Sequence, residues 1–214
     1  MNDSSSFSEF RRLVASDIER FATYNLSVNP SGPKRLRVLF DVALFKAGFQ
    51  AAFLYRLGHW FFQNRLIFLA RCTMRLNLAL CGADIGFAAE IGQGLLIGHP
   101  VGVVIAHKTR IGDNATIEAG VLFGVKSWAP GTVEQVPQTG DGCVFSTRCS
   151  VLGNCRLGDD VVVGINAVVV SDVESGALAA GLPLEIIPGR GRELTAAWRL
   201  YERPPTKAEP AGKR

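Results

Sequence analysis

Residues 85–123 read IGFAAE-IGQGLL-IGHPVGVV-IAHKTR-IGDNAT-IEAGVL-F, with a large apolar residue at Ile85, Ile91, Ile97, Ile105, Ile111, Ile117 and Phe123. After a break the beat returns at Phe145, Val151, Leu157, Val163 and Val169, and Thr139 stands one beat ahead of Phe145. Glycine follows the beat residue at Gly86, Gly92, Gly98, Gly112, Gly158 and Gly164. Four positions after the beat the residue is small or apolar, as at Ala89, Leu95, Ala115, Cys143 and Val161. A helix repeats about every 3.6 residues and an ordinary strand about every 2, so neither explains this six-residue period. A chain that buries one large side chain, turns a corner and repeats is a parallel β-helix. One rung is too short to bury its own apolar residue, so the rungs must stack and share their stability.

Two interruptions carry as much information as the beat. From Ile97 to Ile105 the step is eight residues, and the lengthened segment contains His99 and Pro100. Between Phe123 and Thr139 the beat dissolves into GVKSWAPGTVEQVPQ, residues 124–138. An insertion in a solenoid leaves the stack and lands on its flank, where binding residues collect.

Outward from the repeat, the chain of 214 residues divides into a helical N-terminal domain (1–82), the β-helix (83–190), and a short helix with a disordered tail (191–214). In the first, a short helix is predicted around Glu9 to Tyr24, then a break from Asn29 to Pro33, then two or three helices between Leu36 and Leu80. The last span carries Lys46, Arg56, Arg65, Arg71 and Arg75 against the single acid Asp41, and has no uninterrupted apolar run long enough to cross a bilayer. It reads either as a basic amphipathic surface resting on an anionic membrane or, preferably, as helices packed on each other and on sister subunits. Near the C-terminus Leu194, Ala197, Trp198 and Tyr201 recur at helical spacing.

Composition narrows the function. The net charge is +4 and the pI about 8.9, which suits an anionic cofactor, yet no Lys/Arg run or RNA-binding motif points to nucleic acid. Residues 1–6, MNDSSS, lack the basic and apolar regions of a signal peptide. Of the five cysteines, Cys143, Cys149 and Cys155 fall on the small-residue position of successive hexads, hence on successive faces. Neither a disulfide nor a metal site follows, and buried thiols in a reducing cytoplasm are expected. No Walker or Rossmann glycine pattern is present.

Several stretches resemble one family in register. They are Phe45-Lys46-Ala47-Gly48-Phe49, Tyr55-Arg56-Leu57-Gly58-His59-Trp60, Asp84-Ile85 and Ile91-Gly92-Gln93-Gly94. Further on come His99 ahead of Gly102-Val103-Val104-Ile105, then Gly153-Asn154, then Ala180-Gly181-Leu182-Pro183. Together, over residues 44–188, they resemble the serine acetyltransferases, one family of the left-handed β-helix acyltransferases. The hexads alone suggest only an acyltransferase-like coil; the Tyr-Arg…His-Trp stretch and the histidine-bearing rung make the likeness specific. The resemblance implies an α+β chain whose helical domain precedes a left-handed coil. It also implies a homotrimer with acetyl-CoA in the groove between neighbours, L-serine as acceptor in cysteine biosynthesis, and no metal.

Departures from the family qualify the acceptor. Where the family has Asp immediately before its catalytic His, this chain has Gly98; where it has an Arg-His pair in the inserted loop, this chain has Gln135-Val136. The nearest counterpart of an upstream Asp that helps hold serine is Asn29. Groups that would grip the ammonium and carboxylate of serine are thus largely absent. Two alternatives follow: O-acetylation of a sugar hydroxyl in surface or exopolysaccharide biosynthesis, as in a related subgroup, and a non-catalytic trimeric scaffold. The C-terminal Gly212-Lys213-Arg214 lacks the family's terminal Ile, so no complex with the next enzyme of cysteine synthesis is expected.

Acetyl transfer from a thioester to a hydroxyl needs a base for the hydroxyl proton and donors for the developing oxyanion. His99 is the candidate base, and Gly124, read as the start of the inserted loop, the candidate oxyanion donor. With Gly98 before it, the imidazole needs another orienting group, for which Asp113 and Glu118 are candidates. Lys126, Arg148, Arg156 and Gly181 are candidates for contacting CoA, and Gly98, Gln135 and Val136 mark the substrate positions. His107 is expected to face solvent, and His59 to pack on Tyr55.

Overall fold

Each beat residue lies in a strand of two residues, extended to three at Phe123 and Val151, and the corners lie between. The computed structural model describes residues 3–26, 33–126 and 135–180. These form four helices, α1 (Asp3–Leu26), α2 (Pro33–Phe45), α3 (Ala47–Gln63) and α4 (Ile67–Cys81), followed by the coil. One parallel sheet contains β1 (Asp84–Ile85), β4 (Val104–Ile105), β7 (Leu122–Gly124), β10 (Ser150–Leu152) and β13 (Val168–Val169). A second contains β2 (Glu90–Ile91), β5 (Arg110–Ile111), β8 (Gln138–Thr139) and β11 (Arg156–Leu157). The third contains β3 (Leu96–Ile97), β6 (Thr116–Ile117), β9 (Val144–Phe145), β12 (Val162–Val163) and β14 (Leu178–Ala179). The expected helix and tail beyond residue 190 lie outside the described residues, as do Asn29 and Gly181.

Strand register turns the interruptions into measurements. A regular rung is 18 residues, since Val104 pairs with Leu122 and Ser150 with Val168. The rung holding His99 is 20, because Asp84 pairs with Val104 and Leu96 with Thr116. The rung holding the insertion is 28, with Leu122 opposite Ser150. The strands on either side of both longer rungs keep their pairing, so the stacking continues. Inside the coil, Ile85, Ile97, Ile105, Ile117, Phe123, Phe145 and Val151 are at most 1% exposed. Phe123 and Phe145 meet edge to face with ring centroids 4.7 Å apart. Full burial of such side chains is worth about 1.5–3 kcal/mol each. The three solenoid cysteines are buried in this same core, as expected from their hexad position.

α1 is longer than predicted, beginning at Asp3 rather than near Glu9. Tertiary contact explains the extension: Phe7 and Phe10 pack on Trp60, with centroids 6.0 Å apart in each case, so the serine-rich first turns are held by rings. The apolar span after Leu36 forms three helices. None is long and apolar enough to cross a membrane; α2 and α3 qualify only as a pair, and they are bent by 76° at Lys46.

The helices cap the first rung through a polar latch. Arg56 on α3 donates to Asp17 on α1 at 2.9 Å and to the carbonyls of Ile91 and Gly92 at 2.5 Å each. Asp17 in turn accepts the Leu95 N–H at 2.8 Å, and Tyr55 donates to the Ala89 carbonyl at 2.8 Å. Burial pushes the Asp17 carboxyl up, opposed by the Arg56 guanidinium. α3 also approaches β3 so closely that a Cβ on Gly48 would lie 1.8 Å from the Ile97 carbonyl oxygen, which excludes any side chain there. Both groups of the Arg56–Asp17 pair are 1% exposed, so removing one strands the other as an unpaired buried charge. Replacing Arg56 by Met is expected to lower the unfolding free energy by about 3–5 kcal/mol in urea titration. A loss under about 1 kcal/mol would show that the pair does not anchor the cap.

Candidate functional site

A regular corner starts directly after the beat residue, with a turn closed by an N–H three positions on: Thr109 to the Ala106 carbonyl, Cys149 to Ser146, Ala167 to Gly164. In the lengthened rung the equivalent turn is displaced, and the Val103 N–H bonds to the Pro100 carbonyl at 3.1 Å. Stacking with the next rung identifies the surplus. Gly98 donates to the Ile117 carbonyl at 2.9 Å, and Gly120 donates to Val101 at 3.0 Å. Gly98 is thus opposite Glu118 and Gly102 opposite Gly120, which leaves His99 and Pro100 as the two residues without a rung partner. His99 is exposed at this bulge, between the third sheet and the first, and its ring makes no hydrogen bond to a described residue.

The position beside it is filled from the rung above. A Cβ on Gly98 would meet both carboxylate oxygens of Glu118 at 2.6 Å. Glu118 is half-buried and makes no ion pair or side-chain hydrogen bond among the described residues. Asp113, the other candidate for orienting His99, is committed elsewhere: it accepts the Gln93 N–H at 2.9 Å and the Gln93 side-chain amide at 3.0 Å, at the corner between the second and third sheets. That corner carries a ladder in which the Asp141 carboxylate takes the Asp113 N–H, Asp159 takes Asp141, and the Ser175 hydroxyl takes Asp159.

The remaining candidates are spread over two corners and a face. Arg148 shares the His99 corner: its side chain lies over Gly120, itself stacked on Gly102, and its backbone holds φ 61°. Lys126 is exposed at the far edge of the first sheet, against Gly153, and Arg156 is exposed on the second sheet. Gln135 and Val136 lead into β8, where Pro137 accepts the Arg110 N–H. Gly124 is not in the loop; it is the last residue of β7, paired with Leu152, and its carbonyl accepts the Gly153 N–H at 2.9 Å. The sheet runs one residue further than the beat suggests because Gly124 and Leu152 continue the ladder.

The other histidines are structural. His107 does not face solvent: its ring packs edge-on against Phe87 at 4.5 Å, and its Nδ1 accepts the Ala88 N–H at 3.3 Å over Gly86. His59 does pack on Tyr55, at 5.9 Å, and its Nδ1 lies 2.9 Å from the Phe87 carbonyl and its Nε2 2.9 Å from the Gln63 amide nitrogen. The carbonyl can only accept, so Nδ1 carries the proton and Nε2 accepts from Gln63. A cavity of about 390 Å³ between α1, α3 and the second sheet is lined by His59, Arg12 and Glu90 among others, but by neither His99 nor Glu118. Among the described residues no group of three His, Cys, Asp or Glu side chains is placed to hold a metal ion.

A helical cap, a three-sheet coil of hexapeptide rungs and one histidine expelled at a lengthened corner define a β-solenoid transferase of the hexapeptide-repeat class. The serine acetyltransferase of Helicobacter pylori is 39% identical over 142 residues, which is 66% of this chain and 82% of that one. That of Mycobacterium tuberculosis is 35% identical over 159 residues, 74% of this chain and 67% of that one. The chain belongs to the serine acetyltransferase family. Among solved structures, Neisseria gonorrhoeae serine acetyltransferase in complex with serine superposes with a TM-score of 0.69 at 27% identity, covering 84% of this chain and 69% of that one. A serine acetyltransferase in complex with CoA gives 0.70 at 25% identity, covering 86% and 73%. No family model matches the chain.

Burial holds the His59 pKa below the ordinary 6.5, opposed by the Phe87 carbonyl. A histidine with a depressed folded pKa binds its proton later than the unfolded chain does. Its contribution to stability is therefore complete above about pH 6.5 and is lost as pH falls through that value towards the folded pKa. Urea unfolding across this window should show a steeper acid-side loss for the wild type than for His59→Gln. Parallel curves would mean that the ring is not held neutral.

Proposed function

We propose that this chain transfers the acetyl group of acetyl-CoA to the hydroxyl of L-serine, yielding O-acetylserine for cysteine biosynthesis, with His99 as general base. The observation that carries this reading is His99 itself, one of the two residues without a rung partner at the corner of the 20-residue rung. A neutral imidazole nitrogen can accept the proton of a hydroxyl brought within hydrogen-bond reach. As the serine oxygen attacks the thioester carbon, His99 accepts the hydroxyl proton; the C–S bond then breaks, and the proton passes to the departing CoA sulfur.

Transfer is direct. Cys143, Cys149 and Cys155 are buried, and burial pushes the Cys149 thiol up to about 12, so none is a competent nucleophile. CoA is assigned to Lys126, Arg148, Arg156 and Gly181, while Gly124, whose backbone is paired with Leu152 in the sheet, is set aside as oxyanion donor. Gln135 and Val136 stand at the acceptor end.

These groups also support a homotrimer. His99 and Arg148 stand at one edge of the first sheet and Lys126 and Gln135 at the other, separated by a face of about six residues, or about 20 Å of extended chain. An assembly that sets one protomer's His99 corner against its neighbour's insertion brings the two halves together. Exposed apolar residues on the helices, Leu36, Phe40, Phe45, Phe68 and Leu80 among them, are assigned to sister-subunit contact in preference to a membrane surface. A cytoplasmic setting suits the unpaired cysteines. Neither a metal nor nucleic acid, nor a complex with the next enzyme of the pathway, forms part of this reading.

Purified protein with acetyl-CoA and L-serine should release CoA thiol with saturable dependence on serine, and His99→Ala should lower kcat by on the order of 10²–10⁴. Turnover with sugar alcohols but not serine would overturn the assignment of the acceptor, and undiminished activity in H99A that of the base.

A further inference from the structure

We propose that Glu118 is the group that binds the ammonium of serine, supplying from the next rung the negative charge that Gly98 cannot carry. The inference rests on serine being the acceptor. Three observations converge on it. The Glu118 carboxylate sits at 2.6 Å from where a Gly98 Cβ would be, so it occupies the start of the path a side chain at 98 would take. Gly98 is bonded directly to His99, at the corner of the 20-residue rung where two residues lack a rung partner, which puts this charge next to the proposed base. Finally, Glu118 is half-buried yet unpaired: no cation or hydrogen-bond donor among the described residues satisfies it.

Such a carboxylate is an acceptor-only group that gains most from a donor carrying positive charge. Serine brings one beside the hydroxyl that must meet His99. A sugar hydroxyl brings none. With glycine at position 98 the Glu118 carboxylate can lie where a side chain at 98 would begin. The rung below gave up its side chain, and the rung above reaches into the place.

The experiment varies L-serine at saturating acetyl-CoA with the full chain as wild type, Glu118→Gln, and the double variant G98D/E118A, each checked by thermal unfolding. E118Q keeps shape and removes charge. It should raise KM for serine on the order of 10- to 100-fold, as for loss of a charged hydrogen bond, with kcat and KM for acetyl-CoA changed by less than about threefold. In G98D/E118A the carboxylate starts from the lower rung, and KM should return to within about tenfold of wild type. If E118Q fails to fold, the double variant compared with E118A carries the test. An unchanged KM in E118Q overturns the inference. So does an equal fall in kcat and kcat/KM with a displaced pH profile, which would mark Glu118 as acting on His99 instead. Wild type that does not acetylate serine would bring down the proposed function and this inference together; wild-type turnover with an indifferent E118Q brings down the inference alone.

Discussion

The molecule depends on one constraint: each face of each rung must set its large apolar side chain directly on the one below. Ile85, Ile105 and Phe123 lie in register along one sheet, and Ile97, Ile117 and Phe145 along another. Shifting any strand by one residue would turn this column outward and place a charged or polar neighbour in its place. The backbone ladder enforces the same register, with each rung donating to the next through bonds such as Leu96 to Ala115 and Thr116 to Cys143, both 2.9 Å. The penalty for disturbing the stack is therefore shared by every rung above and below. A surplus residue has only one place to go, which is out.

That constraint leaves the first rung open, and the helices close it. An uncovered end of a solenoid exposes unpaired strand edges and core side chains. Here Arg56 and Tyr55 satisfy the carbonyls of Ile91, Gly92 and Ala89, and the Ser16 hydroxyl accepts the Gly94 N–H at 2.9 Å. Arg20 donates to the Gly94 carbonyl and, at 2.8 Å, to the Ala115 carbonyl, tying the first two rungs together. The same helix that carries Arg56 begins with Gly48 pressed on Ile97, the residue from which the His99 bulge departs. The cap thus fixes the base of the candidate site as well as the end of the coil.

Much of this was legible in the sequence because it is periodic. The six-residue beat specified which side chains face inward, and the departures from it located His99 and the insertion. The cysteines followed from their phase in the hexad. Other features depended on contacts that no local pattern encodes. The first turns of α1 are held by Trp60, far away in sequence, and His107 turns inward because Phe87 lies in the rung below. Asp113 and Glu118 could not be separated as partners for the His99 region by spacing alone. The register does separate them, since Asp113 belongs to a ladder at another corner while Glu118 lies opposite Gly98.

The rungs of 20 and 28 residues have one further meaning. Material added at a corner leaves the alignment of the strands on either side unaltered, so the length of such a segment is free to drift without cost to the rest. Selectivity for one alcohol over another can then be rewritten in the excursions while the column that keeps the chain upright is inherited unchanged. In this chain the corner at Gly98, with the Glu118 carboxylate beside it from the next rung, is one place where such rewriting can act.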